Sequence, residues 1–317
     1  MSLPCQRTES DSAITRSETW LRDGNVVLQA ANTQFRVHWS VLSLNSSVFR
    51  DIEGLPQPFG EPTVDGCPVV KVEDDPADVD YLLKALLHSV RTLTSSLVDQ
   101  KLLQLQVAGA FVRLGRKYEF KDLFDSAMAR FAFEFPTTLE EYDTMPAGMT
   151  TIQSYAGVTF DVITLFSENH IFSTLPFAYF CVLQTFDSGE VFDGIERADG
   201  TLASLSQVDL RRCLVGRGKL LFKQFQPGYT LGWALKWVFS DCARPSRCRV
   251  SREDVVTTYL DDVLGALVLP VNIDHSGFCA ACTRHIEECM AAGRKKMWEE
   301  LPGIFDLPPW NELKNEM

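Results

Sequence analysis

The stretch from Asp23 to Phe49 constrains the fold more than any other part of this 317-residue chain. Two short runs suited to strands, Val26–Leu28 and Gln34–His38, flank a turn that contains Asn32. Strand-forming runs on either side of an Asn-containing turn predict a β-hairpin. The second run alternates apolar and polar residues, which is typical of a strand with one buried face.

Two short helices are predicted directly after the hairpin. Asn45 or Ser46 is suited to cap the second of them, because both side chains can accept a hydrogen bond from a free backbone N–H. Val48, Phe49 and Ile52 follow at helical spacing and form its expected buried stripe.

The pattern Phe35-x-x-His38-x-x-x-Leu42-x-x-x-Ser46-x-x-Phe49 resembles the signature of the BTB/POZ domain. The sequence Asp-Gly-Asn-Val-Val-Leu-Gln at the start of the hairpin is most similar to the large group of fungal BTB-domain proteins. The resemblance implies an α+β domain, a small sheet covered by helices. It also implies a role in protein binding, not in catalysis.

Later segments agree with this order of elements. Cys67–Val72 predicts a strand added to the hairpin's sheet, and Asp75 begins a helix with proline at its first position. Ser96–Asp99 resembles a capping box that opens the next helix. A further helix from about Lys121 is expected to end before Pro136.

The predicted organisation has four parts. Residues 1–18 are expected to be a disordered arm, 19–135 a BTB/POZ-like domain, 136–151 a linker, and 152–317 a mostly α-helical C-terminal domain. For the last part the periodicity predicts helices at Gly157–Asn169, Phe177–Phe186, 207–226, 229–240 and from Ser251 onward.

Composition narrows the possible partners. A net charge of −12 opposes sequence-independent binding of nucleic acid, which needs a basic surface. The best basic candidates are Arg211 and Arg212 with Arg217 and Lys219, and the run Arg244–Arg252. We interpret both as solvated helix faces or loops.

The chain lacks an apolar run of membrane-spanning length, and its first residues lack the apolar core of a secretory signal. We therefore expect an intracellular protein, in the cytoplasm or nucleus, with no membrane partner. Its nine cysteines are then expected to be reduced thiols or metal ligands, not disulfides.

The sequence Cys279-x-x-Cys282-x-x-His285-x-x-x-Cys289 is the candidate metal site. Thiolates and an imidazole are ligands that zinc takes in structural sites, and the last three of these residues lie on one helix face. Further thiols elsewhere in the chain can add ligands, namely Cys242 and Cys248. The alternative is a helix whose thiols simply face the core.

Sequence motifs for catalysis are missing. The chain has no Walker loop, GxGxxG, HExxH or GxSxG motif, and we predict that it is not an enzyme. His38 belongs to the signature above and is expected to make a structural hydrogen bond near the strand end.

The predicted function is that of an interaction module or scaffold, with other proteins or a second copy of itself as partner. Its expected interface, placed through the resemblance, contains Trp20, Leu21, Val41, Leu44 and Val48. Two alternatives stay open: a substrate adaptor of a cullin-type ubiquitin ligase, and a zinc-containing nuclear regulatory protein.

The C-terminal segment Trp298–Trp310 alternates large apolar groups with prolines. Such a segment is not expected to be helical throughout. It either packs against the chain's own body or is presented to a partner's groove.

Overall fold

A computed structural model describes most of the chain. The described residues are 13–54, 63–88, 102–235, 239–260, 264, 267 and 273–315. Their contacts divide into two compact units: Met1–Arg130 with Thr151–Gln153, and Phe131–Thr150 with Ser154–Met317.

The first unit is mixed α/β. Its strands are β1 (Thr15–Trp20), β2 (Val26–Ala30), β3 (Thr33–Val37), β4 (Thr63–Val64) and β5 (Cys67–Val72). Its helices are α1 (Trp39–Asn45), α2 (Ser47–Glu53), α3 (Pro76–His88) and α4 (Leu105–Lys117), followed by α5 (Lys121–Glu134), inside which the boundary with the second unit falls.

The five strands form one sheet in the order β1-β3-β2-β5-β4. β2 and β3 pair antiparallel, which confirms the predicted hairpin. β5 joins the same sheet as expected, and it pairs with β2 in parallel. Val26 and Val27 point to opposite faces of β2, and both are fully buried. The sheet is therefore covered on both faces at this strand.

Strand β1 begins at Thr15, inside the stretch 1–18 that the sequence predicts to be a disordered arm. It pairs in parallel with β3, and the hydroxyl of Thr19 donates to Asp80 of α3 at 2.9 Å. Residues 1–12 of the predicted arm lie outside the described residues.

The helical pair α1–α2 is fixed to the hairpin and to α4 by short polar contacts. The backbone N–H of Trp39 donates to the side chain of Asn25 at 2.7 Å, which ties the start of α1 to the residue just before β2. Ser46 is the cap of α2: its oxygen accepts from the N–H of Phe49 at 3.0 Å, and its hydroxyl donates to the carbonyl of Tyr118. The buried hydroxyl thus serves two elements at once.

Helices α3 and α4 are joined through Asp78 and Arg113. The guanidinium of Arg113 contacts both carboxylate oxygens of Asp78, at 2.6 and 2.8 Å. Asp75 accepts a hydrogen bond from the N–H of Ala77, as expected of a helix start. The predicted capping box Ser96–Asp99 lies outside the described residues.

The second unit is largely helical. Its helices are α6 (Leu139–Thr144), α7 (Val158–Glu168), α8 (Leu175–Thr185), α9 (Ser188–Asp193), α10 (Gln207–Lys223), α11 (Gly232–Leu235), α12 (Pro245–Leu260) and α13 (Ala280–Ile304). Two short strands, β6 (Ile195–Glu196) and β7 (Leu202–Ala203), pair antiparallel.

Two parts of this unit differ from the sequence-based expectations. The predicted linker 136–151 contains α6, capped by Thr138 with a reciprocal bond from Glu141. Helix α12 begins at Pro245 and not near Ser251, because proline fits a first helical position. Helix α13 passes through Pro302, which removes only one backbone bond close to the helix end, and it ends at Ile304. The segment Trp298–Trp310 is therefore not helical throughout, as expected.

The C-terminal segment packs against its own unit. Phe305 is fully buried, with its ring 5.2 Å from that of Tyr179, and Trp310 stacks on Trp298 at 5.7 Å. The indole N–H of Trp310 also donates to the backbone carbonyl of Trp298. Of the two alternatives for this segment, the structure supports docking onto the body.

Candidate functional site

Four cysteine thiols meet in the second unit although they come from two distant parts of the sequence. The sulfur atoms of Cys242, Cys248, Cys279 and Cys282 all lie within 4.8 Å of one another. The first is half-buried and the other three are buried, and all four are free thiols. We call this group the cysteine cluster.

Two helix N-termini create the cysteine cluster. Cys279 is the N-cap residue of α13 and Cys282 lies in the first turn of that helix, whereas Cys248 lies in the first turn of α12. Cys242 belongs to the segment that leads into α12. Because side chains at a helix start lie beside the free N–H groups there, both helices direct positive dipole ends toward the sulfurs.

Backbone N–H groups contact the sulfurs directly. The thiol of Cys279 accepts from the N–H groups of Cys282 and then Ala243, and these bonds hold its pKa well below the ordinary value. The N–H of Cys279 in turn lies 3.2 Å from the sulfur of Cys248. The surroundings therefore favour negative charge on at least one sulfur.

Burial acts in the opposite direction on two other thiols. It raises the pKa of Cys282 and of Cys248, and hydrogen bonding among the neighbouring thiols adds to the effect at Cys282. Since four thiolates cannot share so small a volume without a cation, the cluster can become fully deprotonated only around a positive charge.

The sequence-predicted ligands divide into two groups. Cys279 and Cys282 belong to the cysteine cluster, but the metal-ligand groups found among the described residues include neither His285 nor Cys289. His285 lies 3.0 Å from Asp241 and stacks on the ring of Phe239 at 4.6 Å. Cys289 is half-buried further along α13, and burial raises the pKa of its thiol.

The places of His285 and Cys289 are taken by Cys242 and Cys248, which the sequence analysis names only as additional donors. Five residues separate these two cysteines, which is longer than the usual spacing of zinc-ligand pairs. The spacing alone therefore predicts a metal site only weakly. The four thiols come together because α13 packs against the start of α12.

The predicted interface residues lie at two places in the first unit. Trp20 ends β1, where the guanidinium of Arg16 lies 4.4 Å from the indole centroid, and Leu21 follows it. Val41 and Leu44 lie on α1. Val41 packs against the core, whereas the Leu44 side chain is 77% exposed.

Val48 is half-buried on α2, two residues after the cap. His38, the fixed histidine of the signature, lies 3.3 Å from the carboxylate of Asp23, next to the hairpin. The structural hydrogen bond expected of His38 stays a prediction.

The first basic candidate is largely engaged within its own unit. Arg217 is buried and donates to the backbone carbonyls of Leu183 and Phe186. Arg211 and Lys219 both contact the carboxylate of Asp306.

The second basic run lies on α12 and the turn before it. Arg247 donates to the carbonyl of Ser276, and Arg249 pairs with Glu253 on the same helix. The pair with Glu253 neutralises part of the positive charge that a nucleic acid would need.

An apolar cavity of about 690 Å³ lies within the second unit, with Phe135, Phe177, Phe180 and Cys181 among its lining residues. Burial raises the pKa of the Cys181 thiol to about 12. The thiol is therefore protonated at neutral pH, and a protonated thiol is a poor nucleophile.

Within the described residues, no helix is long and apolar enough to cross a membrane. No protein family model matches the chain, and no curated protein matches its sequence.

Proposed function

We propose that this protein acts by protein–protein interaction, through a BTB/POZ-like first unit that associates with a second copy of itself. The chain is then a scaffold or adaptor, and its activity is the contact it makes.

One observation carries this proposal. Phe35, Leu42 and Phe49, which are the apolar positions of the signature, are all fully buried in one core cluster of the first unit. They lie on a hairpin and on the two short helices that follow it directly, which is the arrangement that the resemblance implies. The signature residue Ser46 also caps α2, and a chance match to the signature would not be expected to include this contact.

The surface of the same elements supports the choice of a second copy as partner. Leu44 lies on α1 with its side chain exposed, although its helix neighbour Leu42 is fully buried. Among the described strands β1 is an edge strand, with β3 as its only neighbour. Exposed apolar groups and open strand edges are both features through which chains associate.

The charge distribution favours a protein partner over nucleic acid. The chain carries 30 basic and 42 acidic residues. Several of its clustered arginines and lysines contact carboxylates or carbonyls of their own unit. An interface between copies does not require a basic surface.

The test is the mass of the full-length chain in solution, measured by light scattering across a range of concentrations. We expect a dimer at concentrations of tens of micromolar or less, on the order of those at which specific homodimers form. Leu44→Asp places a charge in the interface and is expected to shift the mass toward the monomer.

The control is Phe222→Asp, which changes a comparably exposed apolar side chain of the second unit, 72% exposed. It should leave the mass unchanged. A wild-type chain that stays monomeric at all concentrations contradicts self-association. A dimer that Leu44→Asp leaves intact contradicts an interface that contains Leu44. Pull-down with a cullin scaffold separately tests the adaptor alternative.

A further inference from the structure

We infer that Cys242, Cys248, Cys279 and Cys282 bind one structural Zn²⁺ ion that fastens the start of α12 to the start of α13. This inference concerns the second unit and does not depend on the proposed interaction function. Its ligand set differs from the Cys279, Cys282, His285 and Cys289 set expected from the sequence.

The distances fit a single ion. With Zn–S bonds near 2.3 Å, a tetrahedral site places its sulfurs about 3.8 Å apart. The sulfurs of Cys279 and Cys242 are 4.0 Å apart, and no pair in the cysteine cluster exceeds 4.8 Å. Contraction of a few tenths of an ångström to about one ångström therefore completes the coordination sphere.

Packing alone is a weaker explanation of the cysteine cluster. A buried cysteine acts as a small apolar residue, and one or two in a core need no ligand. Here four converge from segments more than thirty residues apart, with every sulfur near every other. Simple packing has no need to bring all four sulfurs to one point.

The ligand chemistry favours zinc. Four thiolates in a tetrahedral arrangement suit Zn²⁺ or iron–sulfur chemistry, whereas Mg²⁺ and Ca²⁺ require oxygen ligands. A cluster of several irons needs a wider cage than sulfurs within 4.8 Å provide. Because four protein ligands fill the coordination sphere, the ion has no open position for a substrate, and its role is structural.

The surroundings supply the contacts that a charged metal–thiolate centre needs. Backbone N–H groups of Ala243, Cys279 and Cys282 point at sulfur atoms. Two helix N-termini add positive dipole ends. Such outer contacts orient the ligands and reduce the cost of the net negative charge.

The ion would hold together a part of the chain with a small core. The cysteine cluster lies in an apolar group formed around Trp233, Tyr259, Phe278 and Ile286, from α11, α12, α13 and the segment before α13. α11 packs against both long helices. The ion joins those two helices directly at their first turns.

The test begins with the full-length protein, purified under reducing conditions without a metal-affinity tag. Its metal content is measured by elemental mass spectrometry. We expect about one zinc per chain in the wild type. Cys248→Ser and Cys282→Ser should each lower the content at least about fivefold, since each removes one of four ligands.

Matched controls come from the same helix. Cys289→Ser and His285→Ala change the two sequence-predicted ligands outside the cysteine cluster and should retain the zinc. If either control loses its metal while Cys248→Ser keeps it, the inferred ligand set is wrong. Wild-type protein without zinc, or with iron in its place, contradicts the inference directly.

A second measurement covers the case in which ligand variants do not fold. Replacement of zinc by Co²⁺ in the wild type should give the intense visible bands of a tetrahedral thiolate site, together with sulfur-to-metal charge transfer. The spectrum should be the same in His285→Ala, because all four ligands are sulfur. A spectrum of octahedral Co²⁺ overturns the proposal, as does an intact mass showing that the four thiols are paired as disulfides.

Discussion

Gly216 on α10 faces a neighbour too close for any side chain. A Cβ atom at this position would lie 2.5 Å from the buried ring of Phe305, whereas a Cβ at Gly218 on the same helix would meet nothing within 4 Å. We expect Gly216→Ala to lower the free energy of unfolding by about 1–3 kcal/mol through overpacking. Gly218→Ala should raise it by about 0.5–1 kcal/mol, since alanine is the better helix former.

Urea unfolding of both variants measures this difference. Equal effects would show that α10 and the C-terminal segment do not pack as closely as described. The sequence alone does not distinguish Gly216 from Gly218, because both lie in the same predicted helix. Only the position of Phe305, about ninety residues later, distinguishes them.

Glu300 on α13 provides a pH-dependent contribution to stability. Burial raises its pKa, but hydrogen bonds from Lys223 and Tyr229 outweigh this and hold the pKa below the ordinary value of 4.5. The contribution of these contacts is therefore complete above the unfolded pKa and is lost as the pH falls through the folded one.

We expect Glu300→Gln to lower the free energy of unfolding by about 0.5–1 kcal/mol at pH 7, a small effect because the pair is partly exposed. The difference should shrink toward zero between pH 5 and pH 3, roughly the range in which a glutamate takes up its proton. Denaturant unfolding across this range measures it. The exposed neighbour Glu299, changed to glutamine, is the matched control and should leave the free energy of unfolding nearly unchanged at pH 7.

At the scale of elements, the cap of α2 is the most informative single contact. Ser46 is buried and bonds both the N–H of Phe49 and the carbonyl of Tyr118. Ser46→Ala removes the cap and leaves the carbonyl of the half-buried Tyr118 with one contact fewer, so we expect a loss of about 1.5–3 kcal/mol. Thr138 caps α6 at an exposed position, and Thr138→Ala should cost only about 0.5–1 kcal/mol.

Thermal and urea unfolding of the two variants give the comparison. A Ser46→Ala loss no greater than that of Thr138→Ala would contradict the double role of Ser46. That result would also weaken the support that the signature gives to a BTB/POZ-like first unit, because Ser46 is one of the five signature positions.

The elements that the sequence predicts best are those governed by local chemistry. The hairpin and the cap at Ser46 follow from alternation and from side-chain hydrogen bonding within a few residues. The passage of α13 through Pro302 does not, because the packing around it stabilises helix where a proline locally favours an end.

At the scale of the whole molecule, the candidate metal ligands show what one sequence cannot supply. The pair Cys279 and Cys282 is visible as a CxxC motif, and helical spacing then suggests His285 and Cys289 as further ligands. The fold instead brings in Cys242 and Cys248, from about thirty residues earlier. Which thiols meet depends on how α13 packs against the start of α12, and this is a property of tertiary structure.

If the inferred zinc joins α12 to α13, its removal should affect the two units differently. We expect a strong chelator under reducing conditions to accelerate amide hydrogen exchange in α12 and in the first turns of α13. Exchange in β2, β3 and β5, which belong to the first unit, should stay unchanged. The reason is that the ion contributes to folding only where its ligands are, and metal-dependent regions open when it is withdrawn.

The same treatment should lower the melting temperature of the second unit by about 10 °C or more, since loss of a structural ion removes several kcal/mol from a unit of this size. Re-addition of one equivalent of Zn²⁺ should restore both the protection and the melting temperature, and Cys289→Ser should respond as the wild type does. Uniform acceleration in both units would indicate general destabilisation by the chelator. Unchanged exchange in α12 and α13 would show that the four thiols hold this part of the chain together without an ion.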